Sequence, residues 1–330
     1  MATAIARVFE DKPALRERTP LLIGLVGASG SGKTFSALRL AGGIQRVSGG
    51  DIYGIDTEAR RMLHYADTFK FRHLEFSAPF GSLDYLAAIE HCVKKGAKTV
   101  IVDSTSHEHE GPGGVLESHQ AEQERLAKQW NSTMDKVTMA AWQKPKSDRR
   151  RLLNSILQMP VNFIFCFRAK EKVKLDRGGK PIPLGWMPIA GEEFVYEMTL
   201  NMLLYPGSGG VPTWQPEESG EKAMIKLPSQ FKAFFDKQLP LAEDLGERLA
   251  KWAAGVGPGQ PTAFPVVRQS ENMEAPPCPV CSVKMSFVEA GKKSTGEEFP
   301  AFWICPNKKR TGCQGNMRDS EWQEILRQAS

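Results

Sequence analysis

Eight residues near the amino end of the chain have the types and spacing of a phosphate-binding loop. The pattern G-x-x-x-x-G-K-[ST] is met by Gly27, Ala28, Ser29, Gly30, Ser31, Gly32, Lys33 and Thr34. Glycines let successive backbone N–H groups point at one anion, and the helix that follows adds the positive end of its dipole. We expect Lys33 to reach the β- and γ-phosphates of ATP and the Thr34 hydroxyl to ligate Mg²⁺.

A carboxylate that could share the magnesium ion follows a largely apolar run further along the chain. Residues 99–102 predict a buried strand, and Asp103 and Ser104 come directly after it. In phosphate-loop enzymes a carboxylate at the end of such a strand holds Mg²⁺. A strand that ends in aspartate is common by itself, so the assignment of Asp103 depends on the phosphate loop upstream.

An acidic segment between these two motifs resembles the RecA-type recombinase ATPases. Residues 55–58 (Ile-Asp-Thr-Glu) and 102–104 (Val-Asp-Ser) both match that family. In the family, an acidic residue just past the strand after the phosphate-loop helix is the catalytic carboxylate, and the resemblance implies this role for Glu58. The alternative is an exposed glutamate that opens a helix as far as Met62.

A polar residue at the end of another apolar strand, 161–167, fits the same resemblance. RecA-like enzymes carry a sensor of the γ-phosphate at a matching place, which implies that role for Arg168. Lys170 and Lys172 are then charges that could be offered to the ATP of a neighbouring subunit. The alternative is a solvated basic strand end.

Over residues 20–205 the chain looks most similar to the small phage and prophage RecA-like ATPases, a group that includes single-strand annealing proteins. Residues 177–180, 185–188 and 196–198 have the look of that group. The resemblance implies a homo-oligomer that assembles on single-stranded DNA with ATP bound between subunits. A single-strand-binding or replication protein is an expected further partner.

The elements that must position these residues alternate between strand and helix. Apolar runs predict strands at 21–26, 51–55, 73–76, 99–102, 161–167 and 197–205. Helical periodicity predicts helices at 33–47, 82–95, 117–143, 148–158 and 241–252. A hairpin is expected at 171–184 around a Gly-Gly turn. The alternation predicts an α/β fold with a mostly parallel sheet covered by helices on both faces, and the resemblance makes it a RecA-like P-loop fold.

Three segments follow from these patterns and from composition. The ATPase domain is expected to occupy 1–254, a flexible Gly- and Pro-rich linker 255–276, and a zinc ribbon 277–330. The ribbon is predicted from four cysteines with the spacing C-x2-C-x23-C-x7-C, namely Cys278, Cys281, Cys305 and Cys313. Four thiolates suit Zn²⁺ in a closed structural site, and the alternative is four free cysteines in a tail.

The ribbon resembles the carboxyl-terminal zinc ribbons of type I bacterial topoisomerases, through Met285, residues 302–303 and residues 305–307. Such ribbons bind single-stranded DNA, so Trp303 and neighbouring aromatics could stack on bases. The side chains concerned are Phe299, Phe302 and Trp303 for stacking, and Lys292, Lys293, Lys308, Lys309 and Arg310 for phosphates. The alternatives are that the aromatics form the ribbon's small core, and that the ribbon docks a protein.

Composition permits these assignments and excludes a membrane protein. The chain has 330 residues, 41% of them hydrophobic, and a formal charge of +5, which permits a nucleic-acid partner without requiring one. No apolar run reaches the roughly 18 residues of a membrane span, and no signal-peptide core is found at the start. We therefore expect a cytoplasmic protein of a bacterial or phage-infected cell, with no membrane partner.

Two further stretches carry weaker signals. Residues 107–110 (His-Glu-His-Glu) could form a metal cluster, although a loop that responds to nucleotide or DNA is the favoured interpretation. Residues 144–151 are basic, and a solvated helix face is favoured there over a DNA contact. The leading hypothesis is therefore a DNA-stimulated ATPase of phage-type recombination, annealing or replication. The alternatives are a nucleotide-gated module that loads or remodels a protein partner and hydrolyses ATP slowly, and an annealing protein in which ATP only sets assembly.

Overall fold

The chain divides into two compact units, Met1–Gln260 and Pro261–Ser330. The computed structural model describes residue 11 and residues 19–175, 179–214, 225–255, 275–288, 291–292, 298–322 and 325. The predicted linker spans the division between the units, and most of it, residues 256–274, lies outside the described part. Among the described residues, no helix combines the length and the apolar character needed to cross a membrane.

One eight-stranded sheet organises the first unit. Its strands are β1 (Leu22–Gly27), β2 (Asp51–Asp56), β3 (Arg72–Glu75), β4 (Ala97–Asp103), β5 (Asn162–Leu175), β6 (Pro181–Pro188), β7 (Leu200–Leu204) and β8 (Pro212–Thr213). Six strands run parallel in the order β3-β2-β4-β5-β1-β7, whereas β8 pairs antiparallel with β7. The expected mostly parallel α/β sheet is therefore confirmed.

Helices cover both faces of this sheet. They are α1 (Lys33–Ser48), α2 (Ser82–Lys94), α3 (His107–Glu110), α4 (Val115–Gln129), α5 (Met134–Ala141), α6 (Gln143–Gln158), α7 (Glu192–Tyr196) and α8 (Glu243–Ala253). Helices α1 and α8 pack together on one face, and α2 and α6 pack together on the other. The connections thus build three layers around two buried apolar clusters.

Strand β5 shows how the pleat distributes side chains between the two clusters. Phe163, Phe165 and Phe167 lie in the cluster with α2 and α6, whereas Ile164 and Cys166 lie in the cluster with α1 and α8. Successive side chains of a strand point to opposite faces, so a continuous apolar run is what a strand buried on both faces needs. This burial fixes the register of β5 between β1 and β4.

Two element predictions differ from the structure. Residues 117–143 are mostly helical, as expected, but they form two helices: α4 ends at Gln129, and Asn131 adopts a left-handed backbone with a φ of 46° before α5 begins. Asparagine tolerates that conformation better than most residues, which allows the chain to turn there. Helix α6 begins at Gln143 rather than 148, because Pro145 in its first turn needs no intrahelical N–H partner.

The strand predicted at 161–167 is the first part of a longer one. β5 continues to Leu175, and from Ala169 onward, past its pairing with β1 and β4, it pairs antiparallel with β6. The predicted hairpin is therefore an extension of a central strand. Residues 176–178 of its turn lie outside the described part of the chain.

A buried ion pair joins α3 to α6. The Glu108 carboxylate accepts two hydrogen bonds from the Arg149 guanidinium, at 3.1 Å from Nε and 2.8 Å from Nη2. It also accepts a hydrogen bond from the Ser82 hydroxyl at 2.5 Å. The side chains of Glu108 and Arg149 are 2% and 7% exposed. Arg149 therefore does not belong to the exposed basic face expected over 144–151.

We predict that Arg149→Met lowers the free energy of unfolding by about 3–5 kcal/mol, because it leaves the Glu108 carboxylate buried without its counter-charge. The matched control is Arg151→Met on the exposed side of α6, with an expected change within about 0.5 kcal/mol. Urea denaturation followed by circular dichroism measures both. Equal effects of the two substitutions would contradict the structural role of the pair.

The second unit is built from short antiparallel strands. They are β9 (Ser286–Val288), β10 (Gly291–Lys292), β11 (Glu298–Phe299), β12 (Phe302–Ile304) and β13 (Asn316–Arg318), with a single-turn helix α9 (Lys308–Thr311). Strand β12 lies between β13 and β9, and β10 pairs with β11. A small buried cluster of Met285, Trp303 and cysteines lies beside the three-stranded sheet.

Candidate functional site

The phosphate loop connects β1 to α1, and its glycines are required by its shape. The backbone of Gly32 has a φ of +84°, a conformation that residues other than glycine rarely adopt. A Cβ on Gly27 would lie 2.3 Å from the Ser31 hydroxyl oxygen and 2.6 Å from the carbonyl oxygen of Leu204. The loop can therefore close tightly around a ligand only with glycine at these positions.

Several features of the loop fit a phosphate group. Gly32 caps α1 without any side-chain hydrogen bond, so the first N–H groups of the helix have no side-chain cap. The Ser31 hydroxyl is buried and has no hydrogen-bond partner among the described residues. Free N–H groups at a helix start, together with the positive end of the helix dipole, form an anion-binding site.

Lys33 reaches back across the loop. Its ammonium group donates hydrogen bonds to the carbonyl oxygens of Gly27 at 2.9 Å and Ala28 at 2.8 Å. The side chain is buried, and desolvation lowers the pKa of Lys33, opposed by nearby negative groups that include Asp103 and Glu58. The ammonium group is thus held at the loop's own rim, where phosphate oxygens would meet it.

Thr34 and Asp103 come together from α1 and β4. The Thr34 hydroxyl donates a hydrogen bond of 2.5 Å to Oδ2 of Asp103. Burial raises the pKa of Asp103 to about 6, with the charges of Glu58 and Asp56 adding to the effect. A hydroxyl and a carboxylate in contact are the hard oxygen ligands that Mg²⁺ prefers. The peptide bond between Asp103 and Ser104 is cis.

Glu58 lies in a turn after β2 that the buried carboxylate of Asp56 organises. Asp56 accepts hydrogen bonds from the backbone N–H of Glu58 at 2.8 Å and of Met62 at 2.9 Å. Its Oδ2 also lies 3.1 Å from Nε2 of His73. No helix starts at Glu58; a 3₁₀ turn, Arg61–Tyr65, follows instead. The side chain of Glu58 is 16% exposed, so the alternative of an exposed glutamate does not hold.

Arg168 meets Glu58 from the neighbouring part of the sheet. Its Nε and Nη2 lie 2.9 Å and 2.8 Å from Oε1 of Glu58, while Nη1 of Arg61 lies 3.2 Å from Oε2. Burial opposes ionisation of Glu58, but the hydrogen bonds and charge of Arg168 prevail and lower its pKa. The backbone N–H of Arg168 donates to the Ser106 hydroxyl at 2.8 Å, which fixes the strand end.

These side chains line one cleft of about 610 Å³, a size that suits a small-molecule ligand. The cleft brings together Ser29, Gly30, Gly32, Lys33, Thr34, Glu58, Asp103 and Arg168 of the predicted site. It also includes His64 and Tyr65, whose rings no sequence pattern singles out. Lys170 lies near the cleft, with Nζ 3.9 Å from Oε2 of Glu110, and the side chain of Lys172 lies outside the described part.

Residues 107–110 do not form a metal cluster. His107 stacks on Phe80 and its Nδ1 lies 2.8 Å from the Thr57 hydroxyl, whereas Glu108 is held by Arg149. These side chains therefore point to different partners. In the part of the chain that the structure describes, the one group of three or more His, Cys, Asp or Glu residues that could hold a metal ion is the set of four cysteines.

The sulfur atoms of Cys278, Cys281, Cys305 and Cys313 all lie within 4.8 Å of one another. Three of their separations are 3.4, 3.7 and 3.7 Å. A tetrahedral zinc site with Zn–S bonds of about 2.3 Å places sulfur atoms about 3.8 Å apart. The four cysteines could therefore hold a metal ion such as zinc.

The surroundings of the cysteines support the same assignment. The Val280 N–H donates to the Cys278 sulfur at 3.4 Å. Burial opposes ionisation of Cys278, but such backbone donors lower its pKa to about 7. A Cβ on Gly315 would lie 2.2 Å from the same sulfur, so the backbone approaches it closely. These contacts favour the thiolate form of Cys278, whereas burial raises the pKa of Cys305.

Trp303 belongs to the core of this unit and not to a stacking surface. It is 4% exposed, and its Nε1–H donates to Oδ1 of Asp319 at 3.0 Å. Phe302 is partly buried, and the side chains of Phe299, Lys292, Lys293, Lys309 and Arg310 lie outside the described part. Of the predicted phosphate contacts, Lys308 is exposed.

No protein-family model matches the chain, and no curated protein matches it either. The assignment of the cleft therefore depends on its own geometry.

We predict that the purified protein contains about one zinc ion per chain, and that Cys281→Ser abolishes it, because three thiolates no longer close the site. Loss of metal should also unfold the second unit, since metal binding contributes directly to the folding of such small units. Atomic emission spectroscopy and thermal unfolding measure the two effects. Cys92→Ala, which removes a thiol in the first unit, is the control; zinc retained by Cys281→Ser would contradict the assignment.

Proposed function

We propose that the chain binds Mg-ATP and hydrolyses it in the manner of a RecA-like P-loop ATPase. The observation that carries this proposal is the convergence of the phosphate loop, the Thr34–Asp103 pair and Glu58 in one cleft. The loop follows β1, Thr34 belongs to α1, Asp103 ends β4, and Glu58 lies in the turn after β2. Their meeting supplies the phosphate cradle, the metal ligands and the base that phosphoryl transfer to water requires.

In this proposal the loop N–H groups hold the β- and γ-phosphates, and the ammonium of Lys33 turns from the carbonyls of Gly27 and Ala28 to phosphate oxygens. Thr34 and Asp103 hold Mg²⁺. Bound there, the ion would supply positive charge that neutralises the negative charge developing on the phosphate oxygens. The two contacts that Lys33 now makes show that its ammonium already lies at the loop rim.

Glu58 is the proposed base. Water attacks the γ-phosphorus, the bond to the β-γ bridging oxygen breaks, and the carboxylate takes the water's proton. The lowered pKa keeps Glu58 ionised at neutral pH, but both of its oxygens are engaged by Arg168 and Arg61. The γ-phosphate should draw Arg168 away, which frees Oε1 for water and brings the guanidinium to the transferring group.

The sheet order supports the resemblance to RecA-type ATPases. Asp56 and Asp103 end adjacent parallel strands and are paired in register. Arg168 lies within β5, between β4 and the loop strand β1, and is paired in register with Gly27. The proposed sensor, metal ligand and base thus lie in or directly after neighbouring strands, which supports the proposal.

The proposed partner is single-stranded DNA, with copies of the chain assembled along it and ATP bound between them. The sequence resemblance supports this choice of partner. Two features agree with it: the exposed Lys170 near the cleft, and, in the second unit, the four-cysteine cluster. Zinc bound by four thiolates would be structural, because no position stays open for substrate. The competing function is a nucleotide-gated module that remodels a protein partner.

We predict that Glu58→Gln reduces steady-state ATP turnover by about 10²-fold or more while ATP binding is retained, because the amide cannot accept the proton. Lys33→Ala should lose both ATP turnover and ATP binding. Glu75→Gln, an exposed carboxylate at the end of the adjacent β3, is the matched control and should turn over ATP as the wild type does. Slow turnover that Glu58→Gln leaves unchanged would favour the gated module.

A second arm of the same assay tests the partner. Single-stranded DNA should accelerate hydrolysis by the wild type, and Lys33→Ala should show no such response. Turnover that ignores DNA despite intact ATP binding would contradict the DNA-dependent function and point to a protein activator.

A further inference from the structure

The outward face of α6 carries cations that folding does not use. Lys144, Ser147, Arg150, Arg151 and Asn154 are all exposed. At 3.6 residues per turn they fall within an arc of about 120° on the side opposite to the buried residues. Among the described residues, the three cations of this face, Lys144, Arg150 and Arg151, have no ion pair. Asp148, the one acidic residue of this helix, is partly buried at the side of the face.

The inward face of the same helix is fully committed to the first unit. Leu152, Leu153 and Ile156 lie in the apolar cluster with α2, and Arg149 is held by Glu108. The apolar face of α6 is therefore buried in the core and is not free to bind a lipid surface. What remains outside is a fixed row of guanidinium, ammonium, hydroxyl and amide groups, all of which bind phosphate oxygens.

We propose that this face of α6 binds the sugar–phosphate backbone of a nucleic acid. From residue 144 to residue 151 the helix rises about 10 Å. A helix face of this length can span more than one phosphate of a single strand, so Lys144, Arg150 and Arg151 can contact the same strand. The inference rests on the nucleic-acid partner in the proposed function and assigns it a surface.

The anchoring of α6 connects this surface to the nucleotide cleft. Arg149 holds Glu108, and His107 beside it contacts Thr57, the residue before Glu58. The helix also begins on the side of the sheet where the carboxyl ends of the strands lie, because it leads into the amino end of β5. A nucleic-acid strand bound along α6 would therefore lie on a helix that is linked to the turn of the candidate base through Glu108 and His107.

The test is binding of a fluorescein-labelled single-stranded DNA oligonucleotide to the full chain, measured by anisotropy between about 50 and 200 mM salt. The variant is Arg150→Gln with Arg151→Gln. The matched control is Lys94→Gln with Lys95→Gln, two adjacent exposed cations at the end of α2 that remove the same charge. ATP hydrolysis without DNA reports that each variant is folded.

We expect the arginine variant to bind at least about tenfold more weakly, with a salt dependence reduced by about 1.4 in log–log slope, and the lysine variant to bind as the wild type does. Wild-type affinity in the arginine variant would overturn the inference and leave the nucleic-acid partner standing. Equal losses in both variants would show an effect of net charge and would also overturn it. If the wild type itself does not bind, the nucleic-acid part of the proposed function fails with it.

Discussion

The first unit depends on one constraint: the carboxyl ends of neighbouring parallel strands meet at a single edge of the sheet. Strands β2, β4, β5 and β1 lie side by side, so Asp56, Asp103, Arg168 and the phosphate loop emerge together. Apolar side chains buried on both faces hold the strands in register. The polar ends are therefore positioned by the core, and this preorganisation is what electrostatic catalysis of phosphoryl transfer requires.

Behind that edge, buried polar groups form hydrogen bonds with one another and hold the turn that carries the candidate base, Glu58. The Thr57 N–H donates to the Asp103 carbonyl oxygen at 2.8 Å, and the Thr57 hydroxyl accepts from the Ser104 N–H at 2.8 Å. Asp56 holds the turn that carries Glu58. Burying such groups without partners costs free energy, so the network favours one arrangement. Within it, the Glu58–Arg168 pair is the contact that the proposed activation of water would have to open.

The sequence predicts motifs whose residues lie close together in the chain. It does not predict contacts between residues that are distant in the chain and meet only in the folded protein. Apolar strand runs and the loop glycines are sufficient for the α/β sheet and the phosphate cradle. The Glu58–Arg168 contact links residues 110 apart in sequence, and no spacing rule shows it. The same holds for Arg149, which looks like part of a basic face but is buried against Glu108. In the second unit, cysteine spacing predicts the metal site, whereas the burial of Trp303 depends on packing.

The central claim is that the phosphate loop and Asp103 form one site for a magnesium nucleotide. Its most direct test is equilibrium binding of a fluorescent ADP analogue, with and without Mg²⁺, to the wild type, to Asp103→Asn and to the exposed control Asp67→Asn. The account predicts that Mg²⁺ tightens binding to the wild type and the control. In Asp103→Asn this gain should vanish, because the amide is a poor magnesium ligand, while the metal-free affinity is kept. Full magnesium-dependent affinity in Asp103→Asn, or no nucleotide binding by the wild type, would contradict the account.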